Sequence, residues 1–123
     1  MSLYRLVLPF AALALTGSAQ PQRIDIRLSN FKFAPATITM THGQAYVLHL
    51  SSSGGHSLVA KAFFAAAAVA PGDRAKIADG SIELEGGESV DIHLTAPAAG
   101  SYAVHCGHFM HSTFGMTGKI VVR

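Results

Sequence analysis

Between residues 23 and 122 the apolar side chains of this chain recur at every second position, in short runs broken by glycine, proline and serine. Ile24, Ile26 and Leu28 alternate with Arg23, Asp25 and Arg27, and Phe31 and Phe33 extend the pattern to Pro35. Ile38 and Met40 resume it, His42-Gly43 turns the chain, and Tyr46, Leu48 and Leu50 form the next run. Ile82 and Leu84 follow, then Val90, Ile92 and Leu94, then Tyr102 and Val104. Period two sends successive side chains to opposite faces, so each run is a strand with one face on a core. Seven or eight such strands with turns between them predict an all-β sandwich. Gly86-Gly87, lying between two runs, predicts a hairpin-like connection there. Residues 61–70 break the pattern: they are Ala-rich, contain Phe63 and Phe64, and hold few β-branched residues. A crossover with one short helix is expected over residues 61–79, packing Phe63 or Phe64 on the sandwich and covering a sheet edge.

The only cysteine, three of the seven histidines and two of the four methionines fall within residues 105–118. Thiolate and thioether are soft donors and imidazole is intermediate, so a site built from them suits copper, as Cu(I) or Cu(II). The carboxylates that magnesium or calcium would demand are absent from this segment. Cys106 continues the Tyr102 and Val104 alternation, which aims the thiol at the core and puts His105 on the opposite face. Both His108 and His111 stand within reach of the thiol along the chain. A lone cysteine cannot close an internal disulfide.

Cys106, His111 and Met116 are spaced by four residues each and are followed by Thr117-Gly118 and an apolar strand over residues 119–122. This resembles the type 1 (blue) copper loop of the cupredoxins, the plastocyanin/azurin-like family, where Cys, His and a weak axial Met lie in order between the last two strands. The family's upstream histidine is matched by His56 in Gly55-His56-Ser57-Leu58-Val59, and its opening by Phe31-Lys32-Phe33-Ala34-Pro35-Ala36-Thr37-Ile38, with Gly43 beyond. The similarity runs from about Ile24 to Val122. It implies a Greek-key cupredoxin β-sandwich and one copper ion held by His56, Cys106, His111 and Met116. His111 is preferred over His108 because only His111 keeps the family's spacing to Met116. The resemblance implies single-electron transfer, with Phe109, Met110 and Phe114 forming an apolar collar where a redox partner docks near His111. Ser57 stands where many members carry an Asn that ties the two ligand loops. Serine has a shorter reach and fewer donors, so a looser site is expected.

At the N-terminus a basic segment ending in Arg5 precedes an apolar run over residues 6–15 and then Gly17, Ser18 and Ala19. That is the pattern of a secretory signal peptide over residues 1–19, cleaved after Ala19. The apolar run is short for a membrane span and contains Pro9. Residues 20–123 then make one domain of 104 residues, expected as a periplasmic monomer with no membrane attachment. Loss of Arg5 leaves eight Lys and Arg against seven Asp and Glu, a net charge of +1. The basic residues are scattered, which argues against a nucleic-acid partner. In an oxidising compartment a free thiol is a liability unless something such as a metal holds it. A second function class stays open, a periplasmic protein for copper tolerance or delivery that uses His105, His108 and Met110 beside the same site. An enzyme is the least expected class, because catalytic copper sites of multidomain oxidases lie between domains and a binuclear copper site needs two cysteines.

Overall fold

The computed structural model describes residues 20–108 and 115–123; the expected signal segment and Phe109, Met110, His111 and Phe114 lie outside them. Among the described residues the alternating runs become ten strands. These are β1 (Gln22–Ser29), β2 (Lys32–Ala34), β3 (Thr37–Met40), β4 (Ala45–Ser52), β5 (His56–Val59), β6 (Ala68–Val69), β7 (Ser81–Leu84), β8 (Ser89–Thr95), β9 (Gly100–His105) and β10 (Thr117–Val122). The excess over seven or eight comes from very short pieces: β2 has three residues and β6 has two.

Two five-stranded sheets form, in the orders β2-β1-β4-β8-β6 and β3-β10-β9-β5-β7. From β2 to β9 the chain changes sheet at every step, so these sequential strands lie in opposite sheets instead of pairing. The β1–β4 and β3–β10 pairs are parallel and the remaining pairs antiparallel. Between the sheets lie Ile26, Leu28, Ile38, Met40, Leu48, Leu50, Leu58, Ile92, Ile120 and Val122, each 3 % exposed or less. Burying these side chains at about 25 cal/mol per Å² of apolar surface is the main force holding the sheets together.

Two local expectations are corrected. Phe31 does not continue the first strand: it sits at φ 58° in the two-residue turn joining β1 to β2 and is 43 % exposed. Nor do the runs flanking Gly86-Gly87 form a hairpin, because β7 pairs with β5 in one sheet and β8 with β4 and β6 in the other. Alternation marks a strand's buried face but carries no information about its neighbour. The glycine pair is a crossing between sheets, laid over the end of β4: Gly87 N donates to Ser52 O at 2.8 Å and Ser52 N to Glu88 O at 3.1 Å.

The crossover contains the expected helix, α1 (Lys61–Ala66), followed after β6 by a 3-10 helix (Pro71–Lys76). Both phenylalanines of α1 are buried, and Phe63 meets Tyr102 of β9 edge-on with ring centroids 5.7 Å apart. The 3-10 helix is fixed to β8 through Asp73, 7 % exposed. Its carboxylate accepts from Lys76 Nζ at 2.6 Å, from the His93 backbone N–H at 2.7 Å and from His93 Nδ1 at 2.8 Å. These bonds, the Lys76 one foremost, hold the Asp73 carboxyl far below the ordinary carboxylate range despite its burial. His49 likewise bonds Asp91 across the β4–β8 pair at 2.6 Å, and His42 bonds Pro97 O at 2.8 Å, so these three histidines serve the scaffold.

A carboxyl with a depressed folded pKa adds stability that is fully present above its unfolded value, about 3.9, and is lost as pH falls through the folded one. Asp73→Asn is therefore expected to cost about 1–3 kcal/mol at neutral pH. The gap to wild type should stay constant down to about pH 4 and shrink in stronger acid. Urea titrations at a series of pH values measure this; a gap independent of pH across the acid range would refute the assignment.

Candidate metal centre

β5, β9 and β10 are consecutive in one sheet, and their ends at one edge of the sandwich carry three of the four expected ligands. His56 opens β5, Cys106 follows β9 and Met116 precedes β10. The β9–β10 register pairs His105 with Thr117, and one step further Cys106 N donates to Met116 O at 3.1 Å. Directly opposed residues of an antiparallel pair share a face, so thiol and thioether lie on the same side. Both are buried, Cys106 at 1 % exposure and Met116 at 0 %. His105 is exposed on the other face, as the alternation requires.

The β5–β9 pair adds the upstream histidine. Val59 pairs with His105, so continuing the register sets Gly107 opposite Ser57 and His108 opposite His56. Ser57 N points at Cys106 Sγ from 3.5 Å, and Gly107 N donates to Ser57 Oγ at 2.8 Å. The serine thus ties the two ligand segments directly, where a looser site was expected. Its reach suffices because the strands approach so closely that a Cβ on Gly107 would stand 3.1 Å from both Ser57 Oγ and Val59 Cγ2. A side chain at residue 107 would have to push the Ser57 or Val59 side chain aside by a few tenths of an ångström.

His56 is 3 % exposed at the end of a pinned loop. Ser52 Oγ donates to Gly54 O at 2.6 Å, and Ser53 N donates to Leu28 O at 3.0 Å. On the far side, Lys119 N donates to Ala36 O at 2.9 Å. A Cβ on Gly118 would lie 2.5 Å from that same oxygen, so the glycine after Met116-Thr117 permits β10 to close on the chain before β3.

The described residues contain no group of three His, Cys, Asp or Glu side chains placed to hold a metal. Of the expected set, His56 and Cys106 are of those types and described, Met116 contributes a thioether, and His111 lies outside the described residues. The three described donors are a buried imidazole, a buried thiol and a buried thioether, a combination that fits copper and does not fit magnesium or calcium. His108 Nε2 donates to Glu83 Oε1. Glu83 was not singled out from the sequence; its only sign there was its place on the polar side of β7. No helix among the described residues is long and apolar enough to cross a membrane.

Ser57→Ala should expose the value of the tie. Removing an acceptor from the Gly107 N–H is expected to cost about 1 kcal/mol in urea unfolding of the metal-free protein. The Gly107 amide should also exchange faster with solvent; unchanged exchange would show that other contacts hold the ligand segments together.

Residues 22–123 match the family model described as copper binding proteins, plastocyanin/azurin family. Among solved structures, the fold is similar to the reduced auracyanin of the photosynthetic bacterium Roseiflexus castenholzii, with TM-score 0.61 and 23 % identity over 83 % of this chain and 97 % of that one. It is also similar to auracyanin A, a "blue" copper protein of Chloroflexus aurantiacus, with TM-score 0.60 and 22 % identity over 85 % of this chain and all of the other. A laccase from Pediococcus acidilactici gives TM-score 0.65 and 15 % identity, covering 89 % of this chain but 28 % of the laccase. At these identities the likeness is one of fold. A search of curated proteins by sequence finds no match.

Proposed function

Because the chain belongs to the plastocyanin/azurin family of copper-binding proteins, whose cofactor is a single copper ion, we propose that it is an exported single-electron carrier of the periplasm with its copper on His56, Cys106, His111 and Met116. The observation that carries this reading is the buried Cys106–Met116 pair, joined by a backbone hydrogen bond and braced from β5 through Ser57. Copper in such a donor set gains and loses one electron with little nuclear rearrangement. The chain's own contribution is to hold the donors still. Cys106 is fixed by three backbone or side-chain contacts, and burial keeps water from the sulfur. The Ser57 N–H directed at Sγ withdraws charge from the thiolate, which favours the reduced state and raises the potential.

Phe109, Met110 and Phe114 frame the docking face for a redox partner at His111 in this proposal, and the protein acts as a monomer. The copper tolerance or delivery alternative would draw on His105, His108 and Met110. It has less support, because His105 faces solvent away from the thiol.

Adding Cu(II) to the metal-free protein should produce an intense thiolate-to-copper absorption band that bleaches reversibly with a mild reductant. Cys106→Ala should abolish the band, and Met116→Leu should keep it while shifting the potential. Copper uptake with no such band in the wild type would reject the reading.

A further inference from the structure

The crossover holds a second concave surface that plays no part in the copper site. Between α1, β6 and the 3-10 helix lies a groove of about 550 Å³, a size that takes small organic ligands. We propose that this groove binds an amphiphilic monocarboxylate, an aliphatic chain of medium length, with the chain on the apolar floor and the carboxylate on Arg74. The inference is independent of the copper reading.

Phe64, Val69 and Ile77 make the floor, the first two buried and the third half-buried. Ala65 and Ala68 flank it and are exposed, so only methyl groups stand between the floor and solvent on those sides. Alanine occupies every position from 65 to 68, and a larger side chain at 65 or 68 would narrow the groove. Apolar surface left accessible beside such small side chains is where an aliphatic chain gains by leaving water.

Both ends of the groove are fixed within the protein. At one end Ala78 and Ser81 exchange backbone hydrogen bonds of 2.9 and 3.0 Å around the Asp79-Gly80 turn, and Ala60 N donates to Gly80 O at 2.9 Å. Gly80 has φ 72°, and a Cβ there would stand 2.7 Å from Lys61 Cα, so the turn packs directly on the start of α1. At the other end Asp73 secures the 3-10 helix to β8, and Arg74 Nε donates to Val69 O at 3.3 Å. A groove ordered in advance loses little binding energy to ordering itself.

Charge selects the head group. Lys61, Asp79 and Arg74 are the charged residues of the rim. Lys61 Nζ donates to Asp79 Oδ2 at 3.3 Å between side chains 65 % and 92 % exposed, a solvated pair that cancels its own charge. Arg74 has no carboxylate at ion-pair distance among the described residues. Its Nε is committed to Val69 O, which leaves the terminal nitrogens of the guanidinium as donors for a carboxylate. One unbalanced positive charge over an apolar floor complements one negative head on an apolar body. A small inorganic anion would gain nothing from the floor, and an uncharged chain would gain nothing from Arg74.

The test titrates octanoate, octanol and acetate separately into the nitrogen-15-labelled protein and reads the amide and arginine Nε–H signals. Octanoate should shift the amides of residues 64–69 and 77–80 and the Arg74 Nε–H along one saturable curve, and acetate at the same concentrations should leave them in place. Octanol should bind about tenfold more weakly, as loss of a charged hydrogen bond implies. Arg74→Gln should lower octanoate to the level of octanol without changing octanol itself. Ala65→Leu should abolish binding of both, and Arg74→Gln remains informative if Ala65→Leu does not fold. The proposal is overturned by the absence of saturable shifts, by shifts centred outside the groove, by equal affinity for octanoate and octanol in the wild type, or by undiminished octanoate binding in either variant. It is overturned too if the same amides shift when the ligand-free protein is concentrated, which would make the groove an interface between copies. None of these outcomes bears on the thiolate band, which tests the copper reading alone.

Discussion

The structure depends most on one backbone hydrogen bond, from Cys106 N to Met116 O. It extends the β9–β10 ladder one step past its last strand pair and cinches the neck of the loop that carries the soft donors. Everything else at that edge braces the same neck. β5 grips Cys106 through Ser57, and β3 grips the start of β10 through the Ala36 carbonyl accepting from Lys119. Side chains carried at the ends of consecutive strands of one sheet inherit the stiffness of the sheet, because moving His56, Cys106 or Met116 means breaking a ladder whose other face is packed on the core.

The positions of the strands were legible in the sequence, since burial of one face imposes period two and the runs ending at Leu28, Leu50, Leu94 and Val104 all keep it. Which strand lies beside which was not legible. β7 and β8 look like a hairpin because a glycine pair separates them, yet they belong to opposite sheets; the distinction is made by Ser52 bonding residues 87 and 88, a contact between positions far apart along the chain. Phe31 read as a strand residue because its hydrophobicity fits the alternation, whereas the two-residue turn there forces it to positive φ and out of the core.

At the edge where β5, β9 and β10 end, the cluster of Cys, His and Met between residues 105 and 116 stood out in the sequence, but the contacts that brace Cys106 did not. Ser57 read as a weakness when compared with a longer side chain. The closeness of β5 and β9 reverses that judgement: with Gly107 opposite, the Ser57 hydroxyl reaches the amide directly. Asp73 was equally hidden. Nothing in Pro71-Gly72-Asp73 beyond a turn signal tells that its carboxylate will anchor the crossover to β8, since Lys76 and His93 become its partners only once the sheet is formed.

Electron transfer and copper delivery ask opposite things of a ligand frame. A carrier gains from donors that stay put when the charge of the metal changes, because nuclear motion adds to the barrier; a delivery protein needs at least one donor that can leave and a second set that can take over. The described part of this edge contains braces on both sides of Cys106 and a fully buried thioether. Each of these removes a degree of freedom that a hand-over would use. His105 faces solvent on the far side of β9, where it can reach neither the thiol nor the thioether without inverting the strand. The frame is therefore better suited to keeping an ion than to passing it on, and that balance favours transfer of electrons over transfer of the metal itself.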